Sequence, residues 1–168
     1  MRLGVTGTPG TGKTTATDLV ESDLDVVHLN EMVREEGLYT EVDEERDSVV
    51  ADLEAVATRL EGRDDVILES HLAHHLDLDA VVVLRCEPTE LEGRLRDRGA
   101  SAAKAEENAE SEALDVILSE AVDRHGRNSV YEVDTTDRPP AAVAEEIEAV
   151  IAGELEPSAG TVDFTDYL

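Results

Sequence analysis

Apolar positions in this chain follow two rhythms. Short apolar or β-branched runs recur at Met1 to Val5, Val26 to Leu29, Val66 to Leu68, Ala80 to Leu84 and Val130 to Val133. Each is too short for a helix and reads as a strand. Between them, apolar residues repeat at helical spacing. Thr14 to about Glu21 follows the first run without a breaker. Glu31 to Glu36 has Asn30 as a plausible cap and Gly37 as its stop. From Asp47 to Leu60, Val49, Leu53, Val56 and Leu60 share one helical face. Pro88 opens a helix that Gly99 ends. Ala102 to Val122 reads as one long helix, with Leu114, Ile117, Leu118 and Ala121 as its stripe. Pro139 and Pro140 start the last, where Val143, Ile147, Val150 and Ile151 line up.

Strands alternating with helices predict an α/β fold with a five-stranded, mostly parallel sheet and helices on both faces. The run Ala80 to Leu84 has no polar position, as expected of an inner parallel strand buried on both sides. In such sheets ligands bind beyond the carboxyl ends of the strands. Residues 1–152 form the expected domain. The stretch 153–168 is rich in acids and carries Pro157 and Gly160, so it reads as a loose acidic tail. It also holds Phe164 and Tyr167, half of the chain's four aromatics, which leaves docking open.

Charge changes the picture of the surface. The 168 residues carry 41 Asp and Glu against 14 Lys and Arg, a net charge of −27. Leu, Ile, Val and Phe total 43, above the range of disordered chains, so a folded and very acidic protein is expected. Twelve of the basic residues are Arg; the two lysines are Lys13 and Lys104. Many acids and few lysines suit a salt-adapted surface, because molar salt shortens the Debye length to about 3 Å and screens the self-repulsion. The fold is expected to need high salt, and secondary structure lost at high rather than low salt would contradict that. The same charge opposes direct nucleic-acid binding, which relies on clustered cations. A single cysteine, Cys86, allows no internal disulfide and fits a reducing cytoplasm; its place at the end of an apolar run reads as structural. No apolar run approaches a membrane span.

The chemistry concentrates in Gly7-Thr8-Pro9-Gly10-Thr11-Gly12-Lys13-Thr14, which fits G-x-x-x-x-G-K-[ST] at every fixed position, between a strand and a helix. Glycines let successive N–H groups converge on phosphate oxygens. Gly10, Thr11, Gly12, Lys13, Thr14 and Thr15 are therefore candidate ATP contacts, with Lys13 as a charge on the terminal phosphates and the Thr14 hydroxyl as a Mg²⁺ ligand. A guanine-reading Asn-Lys-x-Asp motif is absent, since neither lysine fits it, and the length suits a small phosphoryl-transfer kinase.

Arg94 and Arg98 lie four apart on one helix face, so both can reach one site, and arginine forks suit a transferring phosphoryl group. Arg98 stands at the root of a short lid from about 97 to 107. Offsetting the acidic surface is the plainer reading of these arginines, and for Arg96 it is preferred.

From Leu3 to about Ile151 the chain resembles adenylate kinase isoenzyme 6, a small P-loop nucleoside monophosphate kinase also linked to ribosome assembly. The likeness rests on Gly7 to Thr14, on Arg34-Glu35-Glu36 with Leu38-Tyr39, and on the block from Val83-Leu84-Arg85 through Arg94-Leu95, Arg98-Gly99, Lys104, Glu107-Asn108 and Glu112 to Glu120-Ala121. The resemblance implies ATP + AMP ⇌ 2 ADP with Mg²⁺, with AMP under residues about 30 to 47. It implies that Arg34 holds the AMP phosphate, that His71 contacts nucleotide or phosphate, and that Arg138 lies near the ATP adenine. A solvated ion pair for Arg34 and a helix-start role for Arg138 are the plainer alternatives. The resemblance further implies ATPase activity and binding of a basic small-subunit ribosomal protein of the universal S-eleven type. Where the family has Asp-Tyr-His, this chain has Glu69-Ser70-His71, so Glu69 would act on Mg²⁺ through waters, as a Walker-B carboxylate does, from one methylene farther out. His71, His74 and His75 raise the alternative of a metal cluster, although no acid–histidine spacing matches a known zinc motif. A small-molecule kinase of the shikimate kinase type is a third reading, weakened by the absence of a Gly-Gly pair.

Overall fold

A computed structural model of the chain describes residues 1–45 and 48–168. Five strands form one sheet: β1 (Arg2–Thr6), β2 (Asp25–His28), β5 (Val66–Glu69), β6 (Ala80–Arg85) and β7 (Val130–Asp134), in the order β2-β5-β1-β6-β7. All four pairings are parallel, with Leu3 opposite Ile67 and Ala80. Alternation along each strand splits the core into two faces. Leu3, Val5, Ile67, Val82 and Leu84 point to one side, against Val143 and Ile147 of α7 (Pro140–Ile151). Val66 and Leu68 point to the other, against α2 (Leu29–Glu36) and α3 (Leu53–Arg59). Val81 and Val83 pack there on Leu118 and Ala121 of α6 (Val116–His125). The predicted doubly covered sheet is therefore present, with β6 buried at all six positions.

Several expected elements differ. The helix after the loop, α1 (Lys13–Asp18), ends before Glu21. Asn30 lies inside α2 rather than capping it, because the helix starts directly from β2 at Leu29. The helix expected from Asp47 starts only at Leu53, capped by Asp52 through Ala55 N at 3.1 Å. Val49, read as part of its stripe, belongs instead to β4 (Ser48–Ala51), antiparallel to β3 (Tyr39–Asp43). Val49 still packs on the core from the strand, which is why the spacing misled. Residues 46 and 47, where that helix and the 30–47 segment were bounded, lie outside the described residues. The long helix is two, α5 (Ala102–Ala113) and α6. They break at Asp115, whose φ of 56° no continuous helix accepts, and Leu114 faces solvent instead of the core.

The segment 153–168 is not loose. Ser158 N donates to Val130 O at 3.0 Å, so the tail covers the edge of β7. The backbone N–H groups of Gly160 and Thr161 both donate to Glu132, and Tyr167 donates its hydroxyl to Glu92 at 3.2 Å.

Candidate functional site

The loop between β1 and α1 carries the first part of the site. Gly7 cannot bear a side chain: its φ is 149° and a Cβ would lie 2.7 Å from Leu84 O. Gly12 has φ 93° and open space around it, so a ligand can approach its backbone closely. Gly10, Gly12, Lys13, Thr14 and Thr15 line a cavity of 660 Å³ together with Arg94 and Arg98. Thr11 does not reach it. Its side chain is buried, and its hydroxyl donates to Thr8 O at 2.9 Å, tying the loop to itself.

Lys13 is 8% exposed, and its Nζ donates to Gly7 O at 2.9 Å and Thr8 O at 3.1 Å. Burial pushes its pKa down to about 8, against the pull of Glu69 and Glu112. An anion entering the cavity would restore the charged form.

At the end of β5, Glu69 is buried and accepts from Thr14 Oγ1 at 2.7 Å. His28 Nδ1 lies 2.9 Å from the same oxygen, and His28 Nε2 lies 2.8 Å from Asp18. Burial disfavours the charged ring, yet the hydrogen bonds to Glu69 and Asp18 outweigh it and raise the His28 pKa. The longer Glu69 side chain thus reaches Thr14 directly. A hydroxyl and a carboxylate that meet beside the loop are hard oxygen donors, the set that suits Mg²⁺.

A second cavity, of 360 Å³, opens beside the first. Its walls come from α2, the β3–β4 hairpin and the start of α3, and include Val33, Arg34, Ser48, Val49 and Lys104. Asn30, His71 and Arg98 line both cavities. Asn30 Oδ1 accepts from Ser70 Oγ at 2.9 Å, which fixes α2 to the end of β5. Burial first, then the nearby Lys13, push the His71 pKa down to about 4, so its ring is neutral at ordinary pH. Arg98, at the end of α4 (Pro88–Asp97), is exposed, and its guanidinium makes no hydrogen bond or ion pair among the described residues. Arg94 is tethered by Glu90 at 2.7 Å and Thr135 O at 3.0 Å.

The structure therefore gathers ten of the twelve residues singled out from the sequence around two joined cavities. Arg138 stands apart: it donates to Asp134 O at 2.9 Å, pairs with Glu146 at 2.7 Å and lines neither cavity. Asn30, Ser70 and the hairpin residues Ser48 and Val49 were not singled out. For Asn30 and Ser70 a signal existed, since Ser70 directly follows β5 and Asn30 lies two residues past β2, both at the ligand-binding end of the sheet.

Behind the loop lies a closed ionic cluster. Arg85 is 1% exposed. Its guanidinium donates to Glu112 at 3.2 Å, Glu132 at 2.8 Å, Asp115 at 2.6 Å and Glu112 O at 3.0 Å. Glu112 in turn accepts from Thr8 Oγ1 at 3.2 Å and Cys86 N at 2.8 Å. Burial raises the Glu112 pKa, partly offset by Arg85.

The family described as AAA domain matches residues 3–115. A protein of Natronomonas pharaonis named "Putative adenylate kinase" is 68% identical over 168 residues, covering all of both chains. One of the same name from Halobacterium salinarum is 63% identical over 169 residues, again covering both completely. Another, from Pyrococcus abyssi, is 40% identical and covers 99% of this chain and 92% of its own. Among solved structures, shikimate kinase from Bacteroides thetaiotaomicron aligns with a TM-score of 0.56 at 18% identity, over 91% of this chain and 98% of its own. That likeness establishes a P-loop kinase fold and nothing about substrate.

Proposed function

The chain belongs to the AAA domain family, and from that premise we propose that it is an adenylate kinase, catalysing ATP + AMP ⇌ 2 ADP. The observation that carries this reading is the pair of cavities that meet at Asn30, His71 and Arg98. One is walled by a phosphate loop; the other is partly apolar and has Arg34 and Lys104 in its lining, as a mononucleotide's base and phosphate require. The relatives' name agrees with it.

ATP phosphates take the loop cavity, with Gly10, Gly12, Lys13, Thr14 and Thr15 around them. AMP takes the second cavity, where Arg34 holds its phosphate. An oxygen of the AMP phosphate attacks the γ-phosphorus of ATP, and the bond to the β-phosphate oxygen breaks, leaving ADP on both sides. The nucleophile is already anionic, so no general base is needed. Lys13, Arg94 and Arg98 match the spreading negative charge, and neutral His71 offers a hydrogen bond without adding charge. Thr14 and Glu69 would hold Mg²⁺, which when bound neutralises the β- and γ-phosphate oxygens. Arg98 and the segment 97–107, which runs from the end of α4 through a turn into the start of α5, close over the junction and keep water out.

ATPase turnover is the partial reaction this arrangement gives when water replaces AMP. The acidic surface would suit the basic ribosomal partner implied by the resemblance, and salt adaptation accounts for that surface equally well. ADP formation in molar salt, measured with ATP and each of AMP, CMP, GMP and UMP, tests the proposal. AMP-dependent ADP formation well above ATP alone is expected. Equal ADP with and without any monophosphate overturns it.

A further inference from the structure

On the face of the sheet that carries α6, a second cluster lies outside both cavities. After β5 the chain makes a 3-10 turn, Ala73–His75, which packs against α6. Nε2 of His74 lies 2.7 Å from Glu120 Oε2, and Nε2 of His75 lies 3.6 Å from the same oxygen. The three ligand atoms all lie within 4.8 Å of one another. No other group of three histidine, cysteine or acidic side chains among the described residues is placed to share an ion.

We propose that His74, His75 and Glu120 form a binding site for one divalent transition-metal ion of the zinc type, separate from the Mg²⁺ of the nucleotide pocket. The chemistry of the set selects the ion. Two imidazole nitrogens and one carboxylate oxygen are the ligands that zinc, nickel and cobalt prefer, whereas magnesium takes oxygen alone. A tetrahedral ion bound at about 2.0–2.1 Å needs ligands roughly 3.3 Å apart. His75 and Glu120 stand near that spacing, and His74 and Glu120 need to part by less than 1 Å.

The surroundings are those of a built site. His74 is 1% exposed, and its other nitrogen, Nδ1, is fixed by Thr6 Oγ1 at 2.8 Å. A ligating histidine is ordinarily held in this way through its second nitrogen. His75 and Glu120 are 36% and 45% exposed, so an ion can enter from solvent and keep water at a fourth position. The two imidazole rings lie 4.2 Å apart between centroids, tilted by 37°. His125 adds a further brace by donating Nε2–H to His74 O at 2.8 Å.

An ion here would clip the loop after β5 to α6. That loop begins at Ser70 and His71, so the clip would steady one wall of the nucleotide pocket. Its expected effect is on stability, as for other structural metal sites with a preformed ligand set.

The test uses the full chain in molar salt, treated with chelator and titrated with Zn²⁺ in excess Mg²⁺. One equivalent of Zn²⁺ should bind and raise Tm, and Co²⁺ should give visible absorption of nitrogen–oxygen ligation. H75N and E120Q, both at partly open positions, should each weaken Zn²⁺ at least about tenfold and abolish the Tm rise. D123N, on the same helix, controls for general attraction to the acidic surface and should change neither. Absence of a one-to-one Zn²⁺ complex, or losses in H75N and E120Q no larger than in D123N, overturns the proposal.

Discussion

Two cationic centres stand at the same end of this sheet and are built in opposite ways. Arg85 has engaged all three of its guanidinium nitrogens, through four hydrogen bonds. Three carboxylates and a backbone carbonyl surround it, and the ring of Phe164 lies 5.4 Å from its guanidinium carbon. Arg98 has engaged none of its own among the described residues and lines two cavities. A phosphate would find Arg85 buried among carboxylates and a complete fork at Arg98. Satisfied burial marks a residue that holds the scaffold; an exposed guanidinium aimed into a cavity marks one kept for a ligand. Lys13 sits between these cases, since two of its three donors are engaged, yet with neutral carbonyls that an anionic phosphate can displace.

The largest expected effect falls on Lys13. Lys13→Ala should cut ADP formation on the order of a thousandfold, as loss of a charge aimed at the transferring group does. A Lys13→Ala enzyme with wild-type rates would falsify the proposed function. Next comes the direct contrast of the two arginines. Arg98→Ala should lower kcat roughly a hundredfold and leave Tm almost unchanged. Arg85→Ala should do the reverse. Removing the cation strands buried carboxylates, a loss of about 3–5 kcal/mol, while kcat per folded molecule changes little. Thermal melts and rates on both variants decide this, and exchanged outcomes would break the comparison.

This contrast was not legible in the sequence. Arg85, Arg94 and Arg98 belong to one block, and nothing in their spacing separates a buried arginine from an open one. The order of strands and helices was legible, because the inner strands are buried on both faces and wrote unbroken apolar runs between helix-spaced stretches. The phosphate loop was legible for a different reason: backbone approach to phosphate demands glycine at fixed spacings. The hairpin of β3 and β4 was not, because its strands are half-exposed and short, and Val49, Leu53 and Val56 mimic one helical stripe. Asp115 hid the break between α5 and α6, since a left-handed residue leaves no mark when it is not glycine. The docking of residues 153–168 escaped for a related reason. It is made mainly by backbone N–H groups donating to Glu132, and any sequence has those.

The comparison also carries a pH signature. In the unfolded chain Lys13 keeps its proton to about its ordinary 10.5; in the fold it is lost near 8. Free enzyme above pH 8 therefore presents a neutral amine to ATP. The kcat/KM for ATP should fall about tenfold per unit above pH 8, while kcat, which reports the complex with phosphate bound, stays flat over the same range. Between pH 8 and 10.5 the unfolded state binds the extra proton, so this group makes folding more favourable as pH rises. Loss of activity accompanied by a steady or rising Tm thus points to Lys13. A parallel fall of Tm would assign the loss to alkaline unfolding instead.

The smallest effect concerns the tail, and it tests whether the closed centre is scaffold alone. The tail gives Glu132 two backbone donors, and Glu132 holds Arg85, which holds Glu112, which holds Thr8 of the phosphate loop. A chain ending at Gly153 loses those donors and the Phe164 ring, and opens Glu132 to water. Because the carboxylate gains water as it loses N–H groups, the loss should be about 1–3 kcal/mol, a drop of a few degrees in Tm. If Arg85 merely braces the fold, kcat and KM for ATP stay within twofold of the full chain. A tenfold rise in KM for ATP with only that small drop in Tm would mean something else. The line of contacts from Glu132 to Thr8 would then set the shape of the phosphate loop, and the closed centre would belong to the site as much as the open one.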